Sequence, residues 1–242
     1  MKTPTEIQAD FDRIALAESV ERWNHNNHYH DFLLRHAPPH CGDALEVGCG
    51  TGDFARLLAQ RVDRVLALDL SAEMLRLARE RSTAYPNIEY LQADVMACDL
   101  PAERFDCIAS IATLHHLALD AVLPRLSAAL KPGGVLLVLD LCRDDGLADL
   151  ARSLGAIVPH IVINRVRNSG QRPSPEARAA WKAHGASDHY LSVREVRRAC
   201  ADLLPGAQVS RHLFWRYSLV WTKSGFSQTI TTPQPRVSGS GR

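Results

Sequence analysis

The sequence lacks a charge imbalance, a long hydrophobic run and an N-terminal targeting segment. Its 242 residues carry 28 basic and 27 acidic side chains, which give a formal net charge of +1. A chain so evenly charged has no electrostatic attraction for nucleic acid or for anionic lipid. No run approaches the roughly 18 apolar residues of a membrane span, and the N-terminus has no apolar core typical of a signal peptide. We therefore expect neither nucleic acid nor membrane as a partner.

The cysteines also lack any close pairing. All six are widely separated, and none forms a CxxC pair. Cys107 stands in an apolar, strand-like run and Cys49 in a glycine-rich loop. This spacing is typical of reduced thiols rather than of a disulfide framework. We therefore predict a cytoplasmic protein.

What the sequence does contain is a regular alternation of short apolar runs and amphipathic segments from Ala44 onward. The predicted strands are "ALEV", "RVLALDL", "IEYLQAD", "FDCIASIA" and "GVLLVLDL", and the predicted helices between them include "DFARLLAQRV", "AEMLRLARERS" and "AVLPRLSAALK". Such alternation is typical of right-handed βαβ units, which build a parallel sheet with helices on both faces. A chain of this length can bury one large core, so one domain with an insertion is favoured over two.

The alternation stops after the fifth strand. Residues 142–205 read as a helical insertion, with a helix break near Pro159. Two strands in quick succession then close a domain that we place at residues 41–223. The polar tail, residues 224–242, is rich in Pro, Ser and Gly and is predicted to be disordered.

A glycine-rich loop joins the first strand to the first helix of the domain. The stretch "ALEVGCGTGDFA" carries Gly48, Gly50 and Gly52. A strand, glycines and a helix N-terminus in this order are typical of nucleotide binding. A dinucleotide fingerprint needs a third glycine where Asp53 stands, and a P-loop needs GK[ST], which does not follow. The loop thus favours a ligand without phosphates that still approaches the backbone closely.

The pattern ExGxGxG after the first strand resembles motif I of the class I S-adenosylmethionine-dependent methyltransferases. "FDCIASIATLHHL" resembles the family's fourth-strand motif, and "LKPGGVLLVLDL" resembles its turn and fifth strand. Within the family, these motifs are most similar to small-molecule enzymes of ubiquinone and menaquinone biosynthesis. The resemblance implies an α/β, Rossmann-like, doubly wound and mostly parallel seven-stranded sheet. It also implies an antiparallel last strand and a helical insertion before the final two strands.

The resemblance further implies a cofactor site, with S-adenosyl-L-methionine as donor and S-adenosyl-L-homocysteine as product. Asp69 ends the second strand, about 20 residues after the loop, where an acid can accept both ribose hydroxyls. Asp94 is expected to hold the adenine amino group, and Val95 to lie against the ring. Glu46 either contacts the cofactor's amino group through water or braces the loop, and Ser110 offers its carbonyl. The implied cofactor residues are Glu46, Gly48, Gly50, Gly52, Asp69, Leu70, Asp94, Val95 and Ser110, with Tyr29 from an N-terminal helical lid at residues 1–40.

Methyl transfer is an in-line displacement that relies mainly on alignment and exclusion of water. A base is needed only if the acceptor starts protonated. His115 and His116 follow the fourth strand, beside the expected methyl group, and either one acts as base or positions the acceptor. Further acceptor-binding candidates are His28 near the N-terminus and Trp181 and His184 in the insertion.

A histidine cluster near the N-terminus also invites a metal hypothesis. His25, His28 and His30 form an HxxHxH pattern, and histidine is a common metal ligand. Only Asp31 adds a further ligand type, and the transfer needs no metal. We therefore predict an amphipathic helix with solvent-facing histidines and no metal.

Three classes of function remain open. The first is methyl transfer to an O, N or C atom of a small molecule. The second is methylation of a macromolecule. A peptide or natural-product precursor stays possible there, whereas DNA amino methylation is disfavoured because "SIATLHH" replaces the [DN]PP[YF] element. The third is a non-catalytic Rossmann protein that binds a nucleotide, which Asp53 disfavours. The sequence leaves the acceptor and the choice between monomer and homodimer undetermined.

Overall fold

The computed structural model describes residues 2–17, 23–169, 173–186 and 188–225. Seven strands form one sheet in the order β3-β2-β1-β4-β5-β7-β6. The strands are β1 (Cys41–Val47), β2 (Val62–Asp69), β3 (Ile88–Gln92), β4 (Phe105–Ile111), β5 (Leu130–Leu141), β6 (Gln208–Arg211) and β7 (Arg216–Thr222). Strands β1 to β5 are parallel to one another, and β7 is antiparallel to both β5 and β6. The predicted sheet, with its antiparallel last strand, is confirmed.

Helices lie between the strands, as the alternation predicts. They are α1 (Pro4–Leu16), α2 (His30–His36), α3 (Asp53–Leu58), α4 (Ala72–Arg81), α5 (Leu119–Ala129), α6 (Leu147–Arg167), α7 (Pro175–Gly185) and α8 (Val193–Leu203). The last three form the insertion before β6 and β7. None of the helices in the described residues is both long and apolar enough to span a bilayer.

Helix α6 differs from the expected pattern at Pro159. The predicted break is wrong, because the helix continues through the proline to Arg167. A proline removes a single backbone donor, so the hydrogen bonds of the flanking turns can persist. The predicted disordered tail lies outside the described residues from position 226 onward.

The sheet is buried on both faces because its strands alternate between two apolar cores. Leu45 and Ile108 belong to one core, whereas their neighbours Ala44 and Cys107 belong to the other. Burying each large aliphatic side chain contributes about 1.5–3 kcal/mol. The near-continuous apolar strands of the sequence thus reflect helices on both sides.

The carboxyl ends of β1 to β4 reach the same edge of the sheet, and the N-terminal segment covers it. Ile14 and Ala15 of α1 pack with Met74 of α4 and Ala180 of α7 in a small apolar cluster. Ser71 caps α4, its hydroxyl accepting a hydrogen bond from Met74 N at 3.0 Å. Helix α1 therefore packs against both α4, which follows β2, and α7, which belongs to the insertion.

Candidate active site

A cavity of about 550 Å³ opens at the carboxyl edge of the sheet. Its wall combines the loops that follow β1, β2, β3 and β4 with parts of α1 and α7. Ligands of open α/β sheets bind at this edge, outside the strand ends. The cavity is therefore the principal candidate for the site.

Two glycines of the loop after β1 line this cavity and have left-handed backbones. Gly50 has a φ of +51°, and a Cβ there would meet no atom within 4 Å. Gly48 has a φ of +71°, and a Cβ there would overlap the side chain of Thr113. The predicted Gly52 does not line the cavity. It precedes α3, where a Cβ would overlap the hydroxyl of Tyr90, so its visible role is local packing.

Asp69, at the end of β2, fixes the glycine loop. Its Oδ2 accepts a hydrogen bond from Gly50 N at 2.8 Å, and its Oδ1 accepts one from Ser71 N at 2.9 Å. Burial raises the pKa of this carboxyl, an effect that the two backbone donors oppose. Each carboxylate oxygen keeps a second lone pair, so Asp69 can still accept hydrogen bonds from a ligand in the cavity.

Glu46 of β1 is a buried acid in the cavity wall. The residue is 2% exposed, and among the described residues its Oε2 has no hydrogen-bond partner. Burial raises the pKa of this carboxyl well above its ordinary value, and the charges of Asp53 and Asp69 add to the effect. A buried acceptor without a donor is costly, so Glu46 fits a ligand that brings an ammonium group.

The loop after β3 supplies a further part of the wall. Asp94 and Val95 line the cavity, as does Leu70 after β2. Asp94 Oδ1 accepts a hydrogen bond from Met96 N at 2.8 Å, which orients the side chain. Ser110 lies outside the cavity wall, buried in β4, where its hydroxyl donates to Val47 O at 3.1 Å.

After β4, the cavity wall includes His115, which is held by a buried carboxylate. Asp140 of β5 is fully buried and accepts from the His115 backbone N at 2.8 Å through Oδ2. Its Oδ1 lies 2.6 Å from His115 Nδ1. Because a carboxylate accepts, Nδ1 carries the hydrogen and Nε2 is left for another partner. Sequence reasoning missed Asp140, although it is an acid at a strand end, the same signal that identified Asp69.

Beside His115, side chains from the insertion meet His116. The two imidazole centroids are 3.9 Å apart, and His116 Nδ1 lies 4.0 Å from Asp188 Oδ1. Burial and the neighbouring His115 lower the pKa of His116 to about 4. Asp188 Oδ2 lies 3.5 Å from His184 Nε2 and accepts a hydrogen bond from the Tyr190 hydroxyl at 3.1 Å. The structure thus brings together His115, His116 and His184, three of the predicted residues.

The N-terminal helix is tied to the same group. Lys2 Nζ donates to His184 O at 2.6 Å and to Asp10 Oδ2 at 2.8 Å. The ring of Phe11 lies 4.6 Å from that of His184 and 6.2 Å from that of Trp181, and all three residues line the cavity. Sequence reasoning missed Phe11, because its contacts come from an insertion far along the chain.

Tyr29 and His28 lie elsewhere than predicted, outside the cavity wall. The Tyr29 hydroxyl donates to Leu213 O at 3.0 Å, and its ring lies 5.1 Å from that of His212 in the turn between β6 and β7. His28 packs between Tyr29 and Trp23. Because Tyr29 contacts this turn, it does not lie at the cavity mouth, where the sequence places it.

The N-terminal histidines also do not converge. His25 Nε2 lies 2.8 Å from His160 Nδ1 of α6, whereas the ring of His30 packs 5.2 Å from that of Phe54. Among the described residues, they form no group with metal-binding spacing. Burial lowers the pKa of His25 to about 3 and that of His30 to about 4, so both rings stay neutral.

The fold and the cavity define an α/β protein with a Rossmann-like sheet and a candidate ligand site at the carboxyl edge of that sheet. Residues 44–134 match the family model described as a methyltransferase domain. An uncharacterized methyltransferase of Mycobacterium tuberculosis is 34% identical over 200 residues, which are 82% of this chain and 96% of that protein. The chain therefore belongs to the methyltransferase family.

Other relatives and solved structures agree with this assignment. The 2-phytyl-1,4-naphtoquinone methyltransferase of Thermosynechococcus vestitus is 36% identical over 150 residues, 56% of this chain and 64% of that protein. The N-methyltransferase NodS of Bradyrhizobium japonicum, solved with S-adenosyl-L-homocysteine, superposes with a TM-score of 0.62 at 16% identity. The superposition covers 90% of this chain and 98% of NodS. At this identity the superposition supports the fold alone.

Proposed function

We propose that the chain transfers a methyl group from S-adenosylmethionine to a small-molecule acceptor bound in the same cavity. The observation that carries the proposal is the division of the cavity wall. One part holds the glycine loop with Asp69 and Glu46, and the other holds His115 on its buried Asp140. A donor and an acceptor thus have separate sets of polar partners within one cavity.

The residues of the first part fit the cofactor. The unpartnered oxygen of Glu46 suits its ammonium group, and the spare lone pairs of Asp69 suit its ribose hydroxyls. At Gly50 the backbone is open to close approach. Asp94 and Val95 would hold the adenine. The cofactor supplies an electrophilic methyl group, and S-adenosylhomocysteine is the product.

The second part suits a small acceptor. Ligand cavities commonly measure about 300–1,000 Å³, and here about 550 Å³ must take both the cofactor and the acceptor. The naphthoquinone named in one relative supports an acceptor of this size class. Whether O, N or C receives the methyl group follows from the acceptor and not from the fold.

His115 and its neighbours contribute by orientation. Asp140 bonds the His115 ring through Nδ1 and the His115 backbone through N, so the ring loses little freedom when it contacts an acceptor. Helix α1 and Phe11 cover the cavity and exclude water from the reacting groups. The cytoplasmic location and the choice between monomer and homodimer remain predictions.

The test is a screen of small phenols, amines and quinones with the pure protein and methyl-labelled cofactor. We expect label in at least one product, and we expect His115→Ala to reduce turnover while affinity for S-adenosylhomocysteine is retained. Label found only in added peptides would contradict the small-molecule proposal, whereas unchanged turnover of His115→Ala on every small acceptor would contradict the role of His115.

A further inference from the structure

Four metal-ligating side chains converge at the acceptor part of the cavity. His115 and His116 follow β4, whereas His184 ends α7 and Asp188 follows it. One ligand atom from each lies within 4.8 Å of the others, and all four residues line the cavity. The side chains are 6%, 7%, 4% and 3% exposed, respectively. We call this group the His₃Asp cluster. It is distinct from the N-terminal histidines, at which the sequence predicts no bound metal.

We propose that the His₃Asp cluster binds a divalent first-row transition metal ion such as Zn²⁺. Three imidazole nitrogens and one carboxylate oxygen are ligands that these ions prefer, and Mg²⁺ and Ca²⁺ favour oxygen instead. The proposal reverses the expectation of no metal. That expectation considered only histidines close together in sequence, and this cluster joins two distant parts of the chain.

Hydrogen bonds behind the ligands support the proposal. His115 uses Nδ1 for Asp140, which leaves Nε2 for the cavity. Asp188 Oδ2 accepts from Tyr190, and His184 Nδ1 lies 3.2 Å from Asp10 Oδ2. Metal-binding histidines commonly engage a carboxylate through the second ring nitrogen, which fixes the ring and its tautomer. Two histidines of the cluster have such a partner.

His116 supplies a second, independent observation. Its side chain is 7% exposed, and among the described residues its Nε2 has no hydrogen-bond partner. A buried polar atom without a partner is destabilising. Coordination of an ion through Nε2 would give that atom a partner.

The charges around the cluster are close to balanced. Asp10, Asp140 and Asp188 bring three carboxylates. The cations that face them are Lys2, with Nζ 3.5 Å from Asp188 Oδ1, Arg13, with Nη1 3.3 Å from Asp10 Oδ1, and Arg216, which interacts electrostatically with Asp140. An ion would therefore be held by coordination to the four ligands and not by an excess of negative charge.

The geometry requires little adjustment. Bonds of about 2.0–2.1 Å to zinc place the ligand atoms of a tetrahedral site about 3.4 Å apart. The spread of 4.8 Å therefore has to shrink, with a shift of less than about 1 Å at each atom.

A metal in this place would define the acceptor class, a step that rests on the proposed function. The cluster lies beside His115, at the part of the cavity assigned to the acceptor. Four protein ligands fill a tetrahedral shell, so the ion would bind an anionic oxygen of the acceptor as a fifth ligand and, acting as a Lewis acid, would orient it. We therefore infer that acceptors carry a phenolate, carboxylate or similar oxygen close to the methylated atom.

Cobalt titration of the full chain without an N-terminal tag tests the metal site, because tetrahedral Co²⁺ absorbs visible light. We expect one Co²⁺ per chain with intense visible bands, displaced by Zn²⁺. Asp188→Asn and His116→Gln should each weaken Co²⁺ binding by at least about tenfold. The control is His25→Gln, which removes a histidine of the N-terminal group and should leave the spectrum unchanged.

Absence of binding in the wild type would overturn the proposal. Unchanged affinity in both cluster variants would overturn it equally. Circular dichroism and S-adenosylhomocysteine binding show whether each variant is folded. Because the spectrum does not depend on turnover, metal binding without label transfer would contradict only the proposed function. Label transfer by a wild type that binds no metal would contradict only the metal site.

Discussion

Asp69 serves the loop and the cavity at once, because it accepts from Gly50 N and Ser71 N while it lines the wall. Charge-assisted hydrogen bonds contribute about 1.5–3 kcal/mol each. Asp69→Ala should therefore weaken S-adenosylhomocysteine binding by at least about tenfold in calorimetry. Asp43→Ala, which removes a surface ion pair with Arg64, should bind normally. An unchanged dissociation constant for Asp69→Ala would remove the residue from the site.

Gly50 allows a close approach that no other residue type permits. Valine at φ +51° is strained by about 1–3 kcal/mol, and its side chain would enter the space in which no atom lies within 4 Å. Gly50→Val should abolish S-adenosylhomocysteine binding and leave the far-UV circular dichroism unchanged. Gly155→Val, in α6 away from the cavity, is the matched control. Wild-type affinity in Gly50→Val would show that the loop does not touch the ligand.

Glu46 makes stability depend on pH in a direction that the structure determines. Its folded-state pKa lies well above 4.5, so the folded protein holds a proton that the unfolded chain releases. The free energy of unfolding of the ligand-free protein should therefore fall as the pH rises above about 4.5 towards the folded pKa. Glu46→Gln should lose this component in chemical denaturation, whereas Glu89→Gln on the exposed face of β3 should keep it.

Glu46→Gln should also reduce cofactor affinity, since an amide cannot pair with an ammonium as a carboxylate does. A stability gain together with weaker S-adenosylhomocysteine binding is the expected pair of results for Glu46→Gln. Full affinity would mean that Glu46 only braces the loop, the other role that the sequence left open.

At the scale of elements, helix α1 covers the cavity. Phe11 contacts the rings of His116, His184 and Trp181 from above, and removing its ring takes apolar area from the wall. Phe11→Ala should speed S-adenosylhomocysteine dissociation about three- to tenfold in stopped-flow experiments, a loss of about 0.7–1.4 kcal/mol. Leu16→Ala removes an exposed side chain of the same helix and should not alter the rate. Equal rates in both variants would show that α1 is not a lid.

Elements buried on two faces could be predicted from the sequence, and the others only in part. Strands β1 and β4 are mostly apolar because both faces are covered, so the pattern alone predicts them as buried strands. In α6, large side chains such as Leu147 and Val166 are exposed, at 84% and 72%. Local pattern therefore predicted the helix but not where it packs.

At the scale of the whole molecule, the cavity combines three distant parts of the chain. The part proposed for the cofactor lies within residues 41–223, where the family resemblance implies Glu46, Asp69 and Asp94. The acceptor part depends on Phe11 from α1 and Asp188 from the insertion, which meet only in three dimensions. Sequence spacing carries no signal for such a meeting, which is why the sequence predicts neither Phe11 nor Asp188 and predicts Tyr29 as the aromatic residue of the lid.

A crystal structure with S-adenosylhomocysteine tests the central claim most directly. The account predicts that the ligand's ammonium lies within hydrogen-bond distance of Glu46 and that its ribose hydroxyls contact Asp69. It also predicts that the sulfur faces the part of the cavity lined by His115. A ligand bound outside this cavity, or one whose sulfur points away from His115 with Glu46 still unpartnered, would contradict the account.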